Sequence, residues 1–316
     1  MSAPYPSLAD IRAAREAIAG TAIRTPLVRL NVDGPPPVYL KLENLQPIGS
    51  FKIRGAANAI AHMSADELRR GVMTASAGNM AQGVAWCARE RGIPCTVISP
   101  EGASATKMRA IEKLGARLLQ APFDDWWRAF EERAYPGIDA TFIHAFDDLN
   151  VMAGNGTIGL EILEDLPDLD AVVIPWGGGG LACGIASAVK QFKPSVKVFA
   201  AEVEVAAPLM ASWNAGSPQV IQPVRSFVDG VGGKSVLPRM FDLARQLLDG
   251  CLVAQVDEVA SAIKLIAARN HMIAEGAGAT ALACVLAGKG GAGKTVCVVS
   301  GGNIDMPKFI EILSAE

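Results

Sequence analysis

Lys52 is the side chain whose surroundings best suit covalent chemistry. It lies in Y-L-K-L-E-N-L-Q-P-I-G-S-F-K-I-R-G-A-A (Tyr39–Ala57). An apolar strand (Val38, Leu40, Leu42) runs into a polar turn at Asn44 to Pro47. Gly49 and Ser50 then open a helix, with Ser50 as N-cap and Phe51 and Lys52 in its first turn. The positive end of a helix dipole lowers a lysine pKa, and a Schiff-base lysine needs a lowered pKa. Three glycine-bearing turns offer partners. W-G-G-G-G-L places Gly177, Gly178, Gly179 and Gly180 ahead of Leu181. Four backbone N–H groups without side chains can converge there on a phosphate at a helix start. S-A-G-N-M (Ser76, Ala77, Gly78, Asn79, Met80) reads either as an ordinary turn or as an anion site for a substrate carboxylate. S-G-G-N puts the hydroxyl of Ser300 at a strand end.

Strands separated by helix-length segments must position these groups. Helix 7–19 comes first. Strands are expected at Val72–Ala75, Cys95–Ser99, Ala116–Gln120 and Thr141–His144, with helices at 79–91, 104–114 and 124–134 between them. A second run has helix 151–165, strand Ala171–Pro175, helix 181–192, strand Val196–Ala201 and helix 206–214. After an irregular stretch, Ser217–Pro238, come helix 239–249, strand Cys251–Gln255, helices 257–272 and 278–287, strand Thr295–Ser300 and helix 306–314. This alternation predicts an α/β chain with parallel-rich sheets flanked by helices.

The 316 residues are 50% hydrophobic with 32 glycines, enough for a sizeable core. A net charge of -3 gives no electrostatic case for nucleic acid or an acidic membrane. The first ten residues lack signal-peptide character, and no apolar run is long enough to span a bilayer. The six cysteines lack C-x-x-C pairing and read as reduced thiols of a cytoplasmic protein. The run from Gly288 to Thr295 fits G-x-x-x-x-G-K-T, but a helix precedes it and a strand follows. That reverses the nucleotide-binding order.

The lysine stretch resembles the cofactor-lysine motif of the serine/threonine dehydratase family, K-x-E-x-x-Q-x-x-G-S-F-K-x-R-G-A. Lys41, Glu43, Gln46, Gly49, Ser50, Phe51, Lys52, Arg54 and Gly55 all match. These are pyridoxal-phosphate (PLP) enzymes of the tryptophan-synthase-β fold, fold type II. The resemblance implies that Lys52 carries PLP as a Schiff base and that the tetraglycine turn holds its phosphate. It implies that Asn79 bonds the ring's phenolic oxygen and that Ser300 meets the pyridine nitrogen. A neutral hydroxyl there leaves a weaker electron sink, which suits rapid β-elimination. Ser76 and its neighbours would hold the substrate carboxylate. Gly230 lies in a D-G-V segment whose backbone approaches the cofactor. Glu275, in E-G-A-G-A, is either a ring neighbour or a helix-cap carboxylate.

Some positions depart from the family pattern. Met80 replaces the usual histidine, and Gly276 the usual proline. Ala77 stands where racemase relatives have a second serine. Relatives that bind a divalent cation use an acid, a backbone carbonyl and a second acid. Glu202 and Ala206 fit the first two, but Pro208 stands at the third, so no metal is expected. The family divides into a small domain, 71–147, inserted into a large PLP-binding domain, 1–70 and 148–316. The expected activity is deamination of a β-hydroxy amino acid, threonine or serine, to a 2-oxo acid, by a homodimer without a C-terminal regulatory domain. The alternatives are a lyase for 3-hydroxyaspartate or phenylserine, an amino-acid racemase, or a non-catalytic PLP- or amino-acid-binding protein.

Overall fold

The apolar segments of the chain sort into two sheets. The computed structural model describes residues 4–34, 37–103, 105–290 and 293–315. In chain order the first elements are α1 (Leu8–Ala17), β1 (Leu27–Arg29), β2 (Val38–Leu42), α2 (Lys52–Ala61) and α3 (Ala65–Arg70). Then come β3 (Val72–Ala75), α4 (Asn79–Glu90), β4 (Cys95–Pro100), α5 (Ala105–Lys113), β5 (Arg117–Ala121), α6 (Phe123–Glu132) and β6 (Thr141–Phe142). The remainder is α7 (Leu149–Asp165), β7 (Ala171–Pro175), α8 (Gly180–Phe192), β8 (Lys197–Val203), α9 (Pro208–Ala215), α10 (Pro238–Leu247), β9 (Gly250–Ala254), α11 (Val256–Asn270), α12 (Gly276–Leu286), β10 (Thr295–Val299) and α13 (Met306–Ser314).

One sheet has the order β1-β2-β10-β7-β8-β9, and the other β5-β4-β3-β6. Every pairing is parallel except β1 with β2. Strands β7 and β10 are buried along their whole length, as the near-continuous Val/Ile runs of a parallel sheet covered on both faces require. Short β1 and α3 escape the sequence pattern, since three to six residues carry too little periodicity. The expected helix 104–114 starts on Ser104, which lies outside the described residues, as do Gly291 and Ala292 of the 288–295 run. Of that run, Gly288 to Gly290 follow α12 and Thr295 begins β10.

The helix that carries Lys52 is pinned from below by buried charge. Arg54 is sandwiched between Glu43 and Glu161, with Nη1 2.6 Å from Glu161 Oε1 and Nη2 2.8 Å from Glu43 Oε1. Lys41 Nζ lies 2.6 Å from Glu161 Oε2. Thr25 donates to Glu43 at 2.6 Å. All four charged side chains are 5% exposed or less. The backbones also meet closely: a Cβ on Gly154 of α7 would stand 2.4 Å from the Arg54 carbonyl oxygen. Losing Arg54 would strand two carboxylates in the core, a change that typically costs about 3–5 kcal/mol.

Ser50 does not cap α2. Phe51 occupies the cap position and makes no side-chain cap bond. Ser50 instead bridges Gly301 in extended pairing, and its buried hydroxyl has no hydrogen-bond partner among the described residues. The neighbouring bonds are Phe51 N–H to Ser300 O at 3.0 Å and Gly302 N–H to Gly49 O at 2.9 Å. Pairing with the 300–302 segment thus outweighs the local cap and sets Lys52 beside Ser300.

Candidate active site

The segments that follow β3, β7 and β10 open onto one cavity of about 520 Å³, at the strand ends where α/β sheets bind ligands. Its wall brings together Phe51 and Lys52, the loop Ser76 to Met80, Gly177 to Leu181, Gly230, Glu275 and Ser300. The residues expected from sequence to contact cofactor or substrate therefore line the same space, whereas Lys41, Glu43, Arg54 and Glu202 do not.

Lys52 Nζ donates to the Ala145 carbonyl at 2.8 Å and sits 5.0 Å from the centroid of the Phe51 ring. Burial lowers its pKa to about 8, against the partial opposition of the Glu275 carboxylate. Desolvation is thus the main cause, where the sequence pointed to the helix dipole. The Ala145 carbonyl is aimed by its neighbour. Buried His144 accepts at Nδ1 from the N–H groups of Asp147 (2.8 Å) and Phe146 (3.3 Å). Burial, with Arg133 nearby, pushes the His144 pKa down to about 3, so the ring stays neutral and can accept.

Glu275 holds the N-cap position of α12 but makes no side-chain cap bond. Its Oε1 accepts from Asn79 Nδ2 at 2.7 Å. Asn303 Nδ2 donates to Asn79 Oδ1 at 2.7 Å and to the Ile48 carbonyl at 2.9 Å. Asn79 is therefore gripped at both ends of its amide. Burial raises the Glu275 pKa to about 7. The cavity thus pairs an amine and a carboxyl that both titrate near neutrality, a pattern typical of functional sites.

The tetraglycine turn fits an anion. It joins β7 to α8 with Gly179 at φ 95°, a backbone state glycine tolerates at little cost. A Cβ on Gly178 would stand 2.0 Å from Phe146 Cδ1, and one on Gly180 2.7 Å from Phe146 Cα. Side chains are excluded there, and the turn leads into the positive end of α8, the kind of helix start whose N–H groups bind anions. Lys52 for a Schiff base, the glycines for a phosphate and Ser300 for a ring nitrogen are a donor set that fits PLP.

Glu202 lies elsewhere. It is fully buried and accepts from the N–H groups of Leu209 (2.9 Å) and Met210 (2.8 Å), which begin α9. Among the described residues no group of three His, Cys, Asp or Glu side chains is placed to hold a metal. Sequence reasoning did not place Ala145, Phe146, Trp126, Lys107 and Asn303 here, and all five line the cavity. Only Asn303 had a signal, its place in S-G-G-N.

Comparison with known proteins agrees with this geometry. The chain is 41% identical over 315 residues to L-threonine ammonia-lyase of Thermotoga maritima, covering 98% of this chain and 78% of that protein. The solved structure of serine racemase from Dictyostelium discoideum matches with a TM-score of 0.86 at 33% identity, over 96% of this chain and all of that one (100%). The processed form of threonine deaminase isoform 2 from Solanum lycopersicum matches with a TM-score of 0.84 at 33% identity, over 96% and 86% of the two chains. A family model described as "Pyridoxal-phosphate dependent enzyme" matches residues 18–302. The parallel-rich α/β architecture is thus that of fold type II, and the chain belongs to the pyridoxal-phosphate dependent enzyme family.

Proposed function

We propose that the chain is a dehydratase, or ammonia-lyase, that converts a β-hydroxy amino acid of the threonine or serine class to a 2-oxo acid and ammonia. The observation that carries this reading is a lysine with a pKa of about 8 sharing one cavity with a glycine anion cradle and a strand-end serine. When bound, PLP supplies an electron sink for the substrate's α-carbon. Gly177 to Gly180 would hold its phosphate, Asn79 its phenolic oxygen and Ser300 its ring nitrogen, with Phe51, Leu181, Gly230 and Glu275 around it. Ser76 to Met80 would seat the substrate carboxylate.

Lys52 Nζ takes the α-proton, as its lowered pKa allows near neutral pH. The Cβ–O bond then breaks, and water is lost and regained as the amine leaves as ammonia. Purified protein loaded with PLP and given L-threonine or L-serine should release 2-oxo acid and ammonia in equal amounts. A substrate returned unchanged, or only epimerised, would overturn the reading.

The two sheets support a division into a small domain, 71–147, and a large one, 1–70 with 148–316. Six buried, unpaired cysteines support a reducing cytoplasmic setting. Among the described residues no helix is long and apolar enough to cross a membrane. A homodimer is supported by α13, where Met306, Ile310 and Leu313 are 49%, 60% and 42% exposed on one face. Sedimentation measures that directly.

A further inference from the structure

The cavity has one wall that the proposed chemistry does not use. Trp126 of α6 lines it and begins a row of rings that leads inward. Trp126 and Phe130 have centroids 6.4 Å apart, nearly parallel at 28°. Phe130 lies 5.4 Å from Phe146. Phe146 also lines the cavity and follows Ala145, whose carbonyl accepts from Lys52. Outward, Phe123 continues the row 5.5 Å from Trp126 and is 61% exposed.

The charges of the wall narrow the choice further. Among the described lining residues there is no arginine and no histidine. The lining lysines are Lys52 and Lys107, and Lys107 is paired with Asp229. A substrate with a second carboxylate would meet Asp229, Glu275 and Asp305 on the same lining with no unpaired cation besides Lys52. A serine-sized β-position would leave the rings uncovered.

We infer that the site selects β-hydroxy amino acids by an apolar β-substituent, an aryl group above all, with Trp126 and Phe146 as its seat. This rests on the proposed elimination. For 3-phenylserine the Cα–H and Cβ–O bonds break as for threonine, and the products are a 3-aryl-2-oxo acid and ammonia, with no oxidant required.

The test has two arms on the PLP-loaded enzyme. In the first, kcat/KM is measured for 3-phenylserine, L-threonine, L-serine and 3-hydroxyaspartate. The expected order is phenylserine, threonine, serine, then hydroxyaspartate. Phenylserine should lead threonine by on the order of ten- to a hundredfold, the discrimination an apolar pocket provides. In the second, calorimetry measures binding of L-phenylalanine and L-alanine, neither of which carries a β-hydroxyl to lose. Phenylalanine should bind at least about tenfold tighter. Trp126→Ala should shrink both advantages, the phenylserine-to-threonine and the phenylalanine-to-alanine ratios, and Trp126→Leu, which keeps the site filled, should give an intermediate result. Alanine binding as tightly as phenylalanine, or phenylserine turning over no faster than threonine, overturns the inference and leaves the elimination intact. Release of no 2-oxo acid from any of the four substrates overturns the elimination itself, and the binding arm then decides for or against the aromatic wall.

Discussion

Apoprotein mixed with PLP over a series of pH values should capture the cofactor at a rate set by the neutral fraction of Lys52. Only the unprotonated amine can attack a carbonyl. With a pKa of about 8, against 10.5 for an ordinary lysine, Lys52 is about 9% neutral at pH 7, where the ordinary lysine is about 0.03% neutral. The structure thus gives this site an advantage of about 300-fold over surface lysines. The rate is low while Lys52 is protonated. It should climb about tenfold from pH 6 to 7, about fivefold from 7 to 8, and less than about twofold from 8 to 9. The Glu275 carboxylate opposes the lowering of this pKa, so Glu275→Gln should move the midpoint to lower pH. The assay is timed borohydride trapping followed by peptide mass analysis of Lys52. A rate that keeps rising tenfold per unit through pH 9, or label that accumulates on another lysine, would refute the reasoning.

Gly178→Asp should weaken PLP binding by well over about tenfold, because a carboxylate would face a phosphate and even a Cβ meets the Phe146 ring at 2.0 Å; an unchanged dissociation constant in a visible-absorbance titration would count against the cradle. Arg54→Ala should lower stability by about 3–5 kcal/mol, read by urea unfolding of the apoprotein, and a loss below about 1 kcal/mol would show that Glu43 and Glu161 find other partners. EDTA should leave turnover largely intact, since Glu202 is engaged with the N–H groups of Leu209 and Met210; a several-fold loss restored by Mg²⁺ would contradict this. Elimination should outrun epimerisation, because the Ala77 methyl on the cavity wall can neither give nor take a proton, and a missing acid/base typically costs about 10²–10⁴-fold in its step. Chiral chromatography of residual L-threonine checks this, and Ala77→Ser should raise the epimer yield.

What could be read along the chain was whatever depends on near neighbours in sequence. The buried β7 and β10 announce themselves by unbroken apolar runs, and the tetraglycine turn by residues whose backbone alone can do the work. The motif around Lys52 is legible for the same reason: its spacing lies within one strand–turn–helix. Tertiary packing decided the rest, because the deciding contacts join distant segments. The Lys52 ammonium meets a carbonyl 93 residues away, and Asn79 is gripped by groups 196 and 224 residues away. Local rules misplaced Ser50 as a helix cap, since pairing with Gly301 is a stronger claim on its backbone than one side-chain bond. They also credited the lysine pKa to a helix dipole, when the larger cause is loss of water around a side chain that the whole fold encloses. The aromatic wall from Trp126 to Phe146 belongs to this second kind, because it exists only once α6 packs against the 144–147 turn.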